Sequence, residues 1–199
     1  MKLIWFKARK FFRILGIEKI DISYIVQDHI STLKNYQTNK ISQNDIVLFY
    51  VAPLLFSIIL VYLQFKLNKE LLTILVTSLS IFAALLFNLL LLVYDIFGKI
   101  SNVINDTDKD LSKKMQLLKE VYANISYCIL IAIITIILLV FFALNIPQMF
   151  NMPQIEVVGS ILTIIVFWLL IQFIFTLLMI LKRVHELLMK DFKNKSNVK

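Results

Sequence analysis

The pair His185-Glu186 is where this chain comes closest to a catalytic motif. On a helix, a zinc protease would need a second histidine three residues after the glutamate, so that two imidazoles share one face around a metal. Met189 stands there instead. The other histidine, His29, is far away in sequence, and Cys128 is the only cysteine, so no metal set forms and no disulfide is available within the chain. Glycine-rich phosphate loops, nucleophile elbows and paired intramembrane carboxylates are all missing. The chain therefore reads as non-enzymatic, with no catalytic residue, cofactor or metal.

The remaining candidate residues are polar groups inside apolar runs. Thr73, Thr77, Ser80, Ala84 and Asn88 recur at spacings of four, three, four and four, and Asp95 extends the line. On a helix they fall on one stripe. Small residues allow close approach, and hydroxyls and amides bond across it. Asn88 needs a partner most, because an unpaired amide in hydrocarbon is costly. Other runs contribute Ser57, Gln64, Cys128, Ala132, Thr135, Gly159, Thr163, Gln172 and Thr176. Three readings are open. These groups hold the helices of one chain together, or Thr73, Thr77, Ser80, Asn88 and Gln172 face a subunit interface or pore axis in a homo-oligomer, or some of them line a ligand site.

The elements that carry them are four runs without a single charge: 46–65, 71–94, 125–144 and 157–181. About 20 apolar residues make a helix of roughly 30 Å, the thickness of the hydrocarbon core. Of the 199 residues, 59% are hydrophobic, and mean hydropathy is +0.81. Only three glycines and three prolines occur, and the runs are continuous, so helices are expected rather than a β-barrel. The fold class is an all-α polytopic membrane protein with four transmembrane helices. Its divisions are an N-terminal segment 1–45, a membrane domain 46–181 that includes a cytoplasmic hairpin 95–124, and a tail 182–199.

Lys and Arg set the orientation. The segment before the first run carries eight, the middle loop five and the tail six, against two in the hairpin between the first two runs and none between the last two. Both termini and the middle loop are thus expected in the cytoplasm. The first apolar run begins too late for a signal peptide, and the multi-pass body outweighs the presequence-like first 17 residues. The net charge of +8 follows mainly from this basic-inside pattern, so no sequence-specific nucleic-acid binding is expected. The lack of an acid or base in the spans counts against proton-coupled transport.

Outside the spans, residues 3–15 read as an interfacial helix on anionic lipid. Ile4, Trp5, Ala8, Phe11, Phe12 and Leu15 share one face, and Lys2, Arg9, Lys10 and Arg13 the other. A second short helix is expected over 21–36, from Ile22, Ile25, Val26, Ile30 and Leu33, and Ser42 to Asp45 fits a capping box. Pro53 predicts a kink in the first span. Residues 66–70 form a tight hairpin that makes spans one and two antiparallel neighbours. Leu111, Met115, Leu118, Tyr122 and Ile125 form a heptad-like seam leading into span three. That seam packs within the chain, docks a partner or assembles an oligomer. The last span is expected to continue as a helix over 182–192, with disorder from Asn194.

The stretch Ser78-Leu-Ser-Ile-Phe-Ala-Ala-Leu-Leu-Phe-Asn88, the leucine run after it and Tyr94-Asp95 carry a resemblance, together with the basic N-terminal segment and the paired spans. The chain resembles small membrane proteins of bacterial anti-phage defence islands: transmembrane effectors beside retron reverse transcriptases, and the membrane subunit of Kiwa systems. The resemblance implies an oligomeric inner-membrane protein that acts as a membrane-perturbing effector or membrane-bound sensor, controlled by a cytosolic protein or ribonucleoprotein. No functional residue carries over from it. The alternatives are a membrane scaffold that recruits a cytosolic protein and, behind it, a small channel or transporter.

Overall fold

The computed structural model describes residues 21–33, 47–101, 109–144 and 155–196, with side chains over 21–33, 47–100, 112–144 and 157–189. The expected interfacial helix, with Trp5, Lys10, Phe11, Phe12 and Arg13, lies outside the described residues, as do the capping box and Leu111's side chain. Among the described residues the chain is helical, without strands: α1 (Ser23–Thr32), a π-helical turn (Val47–Val51), α2 (Ala52–Tyr62), α3 (Lys69–Ser101), α4 (Lys109–Ala143) and α5 (Ile155–Ser196).

Three of these, within α3, α4 and α5, are long and apolar enough to cross a membrane. At 1.5 Å per residue they run for about 50 to 60 Å, well beyond a hydrocarbon core of about 30 Å. They therefore continue past the spans as expected. α5 stays helical to Ser196, through the residues expected to be disordered from Asn194. The fourth apolar helix, Val47–Tyr62, is shorter.

Pro53 is absorbed differently from the expected kink. The π-helical turn precedes it, and Pro53 sits buried in the first turn of α2, where its missing N–H costs little. The far end of α2 is closed by a Schellman motif. Phe65 N–H reaches Leu60 C=O, Gln64 N–H reaches Val61 C=O, and Gln64 takes the left-handed conformation at φ 62°. Gln64, read as a polar residue of the first span, belongs to this stop and is exposed. The Asn68 side chain then caps α3, accepting from Leu71 N–H at 2.8 Å.

The packing order is α3, α4, α5, α2, with α1 laid on α4. α2 packs on α5 rather than on α3, so the expected pairing of the first and second apolar runs gives way to the first and fourth. The non-helical residues 65–68 allow this. Four residues reach about 13 Å, farther than the 8–10 Å between touching helices.

Heptad seams make the core. On α4, Val121, Ile125, Cys128, Ala132, Thr135 and Leu139 follow one another at four, three, four, three and four, all fully buried. On α3, Leu72, Leu79, Leu86 and Val93 recur every seven residues. A seven-residue repeat keeps a seam in register with its neighbour through a left-handed supercoil. On α5 the facing positions include Val166, Leu169, Phe173, Thr176 and Ile180.

Candidate functional site: a buried polar node at the root of the bundle

The α1 helix buries the wrong kind of residue for a greasy clip. Its buried positions are Ser23, His29 and Thr32, His29 completely, with Leu33 of the stripe buried just past its end, while Ile25 and Val26 are only partly buried. The expected apolar stripe of Ile22, Ile25, Val26, Ile30 and Leu33 has His29 in its middle, so the stripe carries the imidazole inward against α4.

There, His29 Nδ1 donates to Asn124 Oδ1 at 2.9 Å, and that oxygen fixes the neutral tautomer with its proton on Nδ1. The Thr32 hydroxyl shares its single proton between the same Asn124 oxygen, 2.9 Å away, and the His29 carbonyl, 2.7 Å away. Arg183 of α5 donates to the Thr32 carbonyl at 3.0 Å and forms an ion pair with Glu120 of α4. One arginine therefore ties three helices together: α1 through a backbone carbonyl, α4 through a carboxylate, and α5 through its own stem.

Below this layer the node continues toward the spans. The His29 ring stacks on Tyr127, and Gln172 Nε2 donates to the Tyr127 hydroxyl at 3.0 Å. The Tyr50 hydroxyl is buried within electrostatic reach of Tyr127, yet has no hydrogen bond of ordinary geometry. The Tyr50 carbonyl, in the π-helical turn, accepts from the Trp168 indole at 3.2 Å. The indole thus supplies a donor to a carbonyl of that turn.

The node is incompletely satisfied. His29 Nε2, Asn124 Nδ2 and Ser23 Oγ are buried without a partner among the described residues. Burial holds the His29 pKa down at about 4, the Asn124 bond opposes that shift, and the Arg183 charge adds to it. A proton added at Nε2 would place a cation without an acceptor beside an arginine.

The candidates read from sequence divide sharply. Gln172 is buried and bonded within the chain, so it joins the bundle core. Thr73, Thr77, Ser80, Ala84 and Asn88 all face outward on α3, away from its leucine seam. Thr73 and Ser80 bond their own helix carbonyls, as do buried Thr135, Thr163 and Thr176. The Asn88 amide has no bond among the described residues. In the seam 111–125, Leu118 and Ile125 are buried inside the chain, Met115 is half-buried and Tyr122 is exposed. The internal seam passes through Val121, one position earlier than the heptad count gave. His185 and Glu186 stand exposed on α5, and no group of three metal-ligating side chains occurs among the described residues.

His29, Thr32, Glu120, Asn124, Tyr127 and Arg183 were not singled out from the sequence. A signal existed. His29 occupies an apolar-stripe position, and Glu120, Asn124 and Tyr127 lie four and three apart at the mouth of an uncharged run. No known protein family, curated protein or solved structure matches the chain.

Proposed function

We propose that this chain is a non-catalytic inner-membrane protein of bacterial anti-phage defence, a membrane-perturbing effector or membrane-bound sensor under the control of a cytosolic partner. The resemblance in the 78–95 stretch supports the setting. The observation that carries the regulated character is the polar latch of α1 on α4 and α5. Apolar helices that merely anchor a chain do not need a buried, under-satisfied histidine at their root. A latch made of a few hydrogen bonds can be released by a partner that competes for them.

In this reading α1, the root of α4 and the end of α5 lie on the cytoplasmic side, as the basic residues require. The outward Asn88 stripe supports a homo-oligomer, since an amide both donates and accepts and two copies can satisfy each other. A scaffold that recruits a cytosolic protein is the second reading. Exposed Leu188 and Met189 on the α5 extension favour it over the 111–122 seam, whose Leu118 is already covered.

The test compares the wild-type chain with Asn124→Leu, produced at equal levels in bacterial membranes, by a potential-sensitive dye. Release of α1 is expected to depolarise the membrane. A correctly inserted variant with α1 released and the potential intact would sink the effector reading. Retention of a cytosolic protein lost on Leu188→Asp would then favour the scaffold.

A further inference from the structure

Beside the latch lies an open groove of about 550 Å³, walled by α1, α3 and α4. One wall is Asp28, Ser31 and Thr32 of α1, so the groove exists only while α1 is seated. Across it stand Tyr94 and Phe97 of α3 and Lys119 and Tyr122 of α4. Tyr94 ends the uncharged run 71–94 and Asp95 follows it, so the groove sits at the level where a span leaves the hydrocarbon.

We infer that this groove binds the headgroup of a zwitterionic phospholipid, with Asp28 and the aromatic faces taking its ammonium and Lys119 its phosphate. Charge complementarity selects that occupant. The Asp28 carboxylate is exposed and has no ion-pair partner among the described residues, whereas Glu120 is engaged by Arg183. An anionic headgroup would meet Lys119 but also the Asp28 carboxylate, and a purely cationic one would meet Lys119. A headgroup carrying both signs matches both walls. The groove already holds an ammonium against an aromatic face: Lys119 Nζ lies 5.8 Å from the Phe97 ring centroid. Below the mouth, exposed Tyr94, Leu91 and Phe87 follow one another at helical spacing down α3 and offer a track for an acyl chain.

The inference rests on the seating of α1 that underlies the latch. Because the lipid has its site only in the latched state, its binding favours that state by mass action. The groove would thus couple the lipid beside the protein to the release of α1.

Native mass spectrometry of the full chain in detergent, with equimolar phosphatidylethanolamine and phosphatidylglycerol, tests this. The zwitterionic lipid is expected to be retained about fivefold over the anionic one, the scale of one or two exposed charge contacts. Asp28→Asn is expected to abolish the preference without disturbing the fold, since the Asp28 side chain is exposed and unbonded. Equal retention of the two lipids, or a preference unchanged by Asp28→Asn, overturns the inference. Hydrogen exchange of α1 amides separates the two proposals. Protected α1 without lipid preference removes the groove alone, and unprotected α1 in wild type removes the latch and the groove together.

Discussion

The imidazole of His29 lies flat on the phenol of Tyr127, with centroids 3.8 Å apart and planes 10° from parallel. The contact joins a helix outside the spans to a residue whose hydroxyl is bonded by Gln172 inside the bundle. A change in the seating of α1 is therefore felt at once by the α4–α5 contact.

Asn124→Leu leaves the buried Nδ1–H of His29 without an acceptor. Docking of α1 is expected to weaken by about 1–3 kcal/mol, the cost of one orphaned polar group. Hydrogen exchange of α1 amides reads this directly. The double variant His29→Leu/Asn124→Leu removes both partners and is expected to dock better than the sum of the two single variants allows.

Acid is expected to loosen the same latch. The seated His29 has a pKa of about 4, against an ordinary value of 6.5. Between those values the released helix binds more protons than the seated one, so docking is full above about pH 6.5 and weakens as pH falls toward 4. The total loss is about 3 kcal/mol. His29→Leu should flatten that dependence when α1 protection is followed across this range.

Glu120→Gln strands Arg183, whose side chain is only 14% exposed. Removing one partner of a covered ion pair leaves an uncompensated charge, with an expected loss of about 2–4 kcal/mol. Thermal unfolding in detergent should fall more for this variant than for Glu186→Gln, at a position exposed on α5.

Asn88 and Gln172 separate assembly from folding. Asn88→Leu is expected to shift a self-association equilibrium in bilayers by about 1 kcal/mol and to leave the melting temperature in place. Gln172→Leu should do the reverse, since its bond to Tyr127 lies inside one chain. Oligomer populations from single-molecule photobleaching distinguish the two.

Much of the architecture could be read from the absence of charge. Runs without Lys, Arg, Asp or Glu mark the apolar helices, and the four–three spacing of the 111–125 stretch anticipates the start of α4 at Lys109, ahead of its apolar run. Sequence and structure part where a local count meets a three-dimensional choice. Tyr122 and Val121 are adjacent, and only the packing of α4 against α3 and α5 decides which faces in. Gln64 looked like part of a span because it is uncharged, but the left-handed turn at the end of α2 claims it. Asn88 and Gln172 look alike as isolated amides in leucine-rich helices, and a sequence does not say which lies on the inner face. The node has no local signature, because its members come from three helices. His29 and Asn124 are 95 residues apart, and their pairing depends on the seating of α1.

Most of the polar bonds between the described helices fall in the half of the bundle nearer α1: His29 and Thr32 with Asn124, Arg183 with Glu120 and Thr32, Gln172 with Tyr127, Cys128 with the Phe173 carbonyl. Toward the other end, Thr73, Thr135 and Thr163 turn their hydroxyls back onto their own helices. Such a bundle behaves like a tuning fork gripped at its stem. Small rotations at the grip become the largest displacements at the opposite tips, where these threonines bond only their own helices.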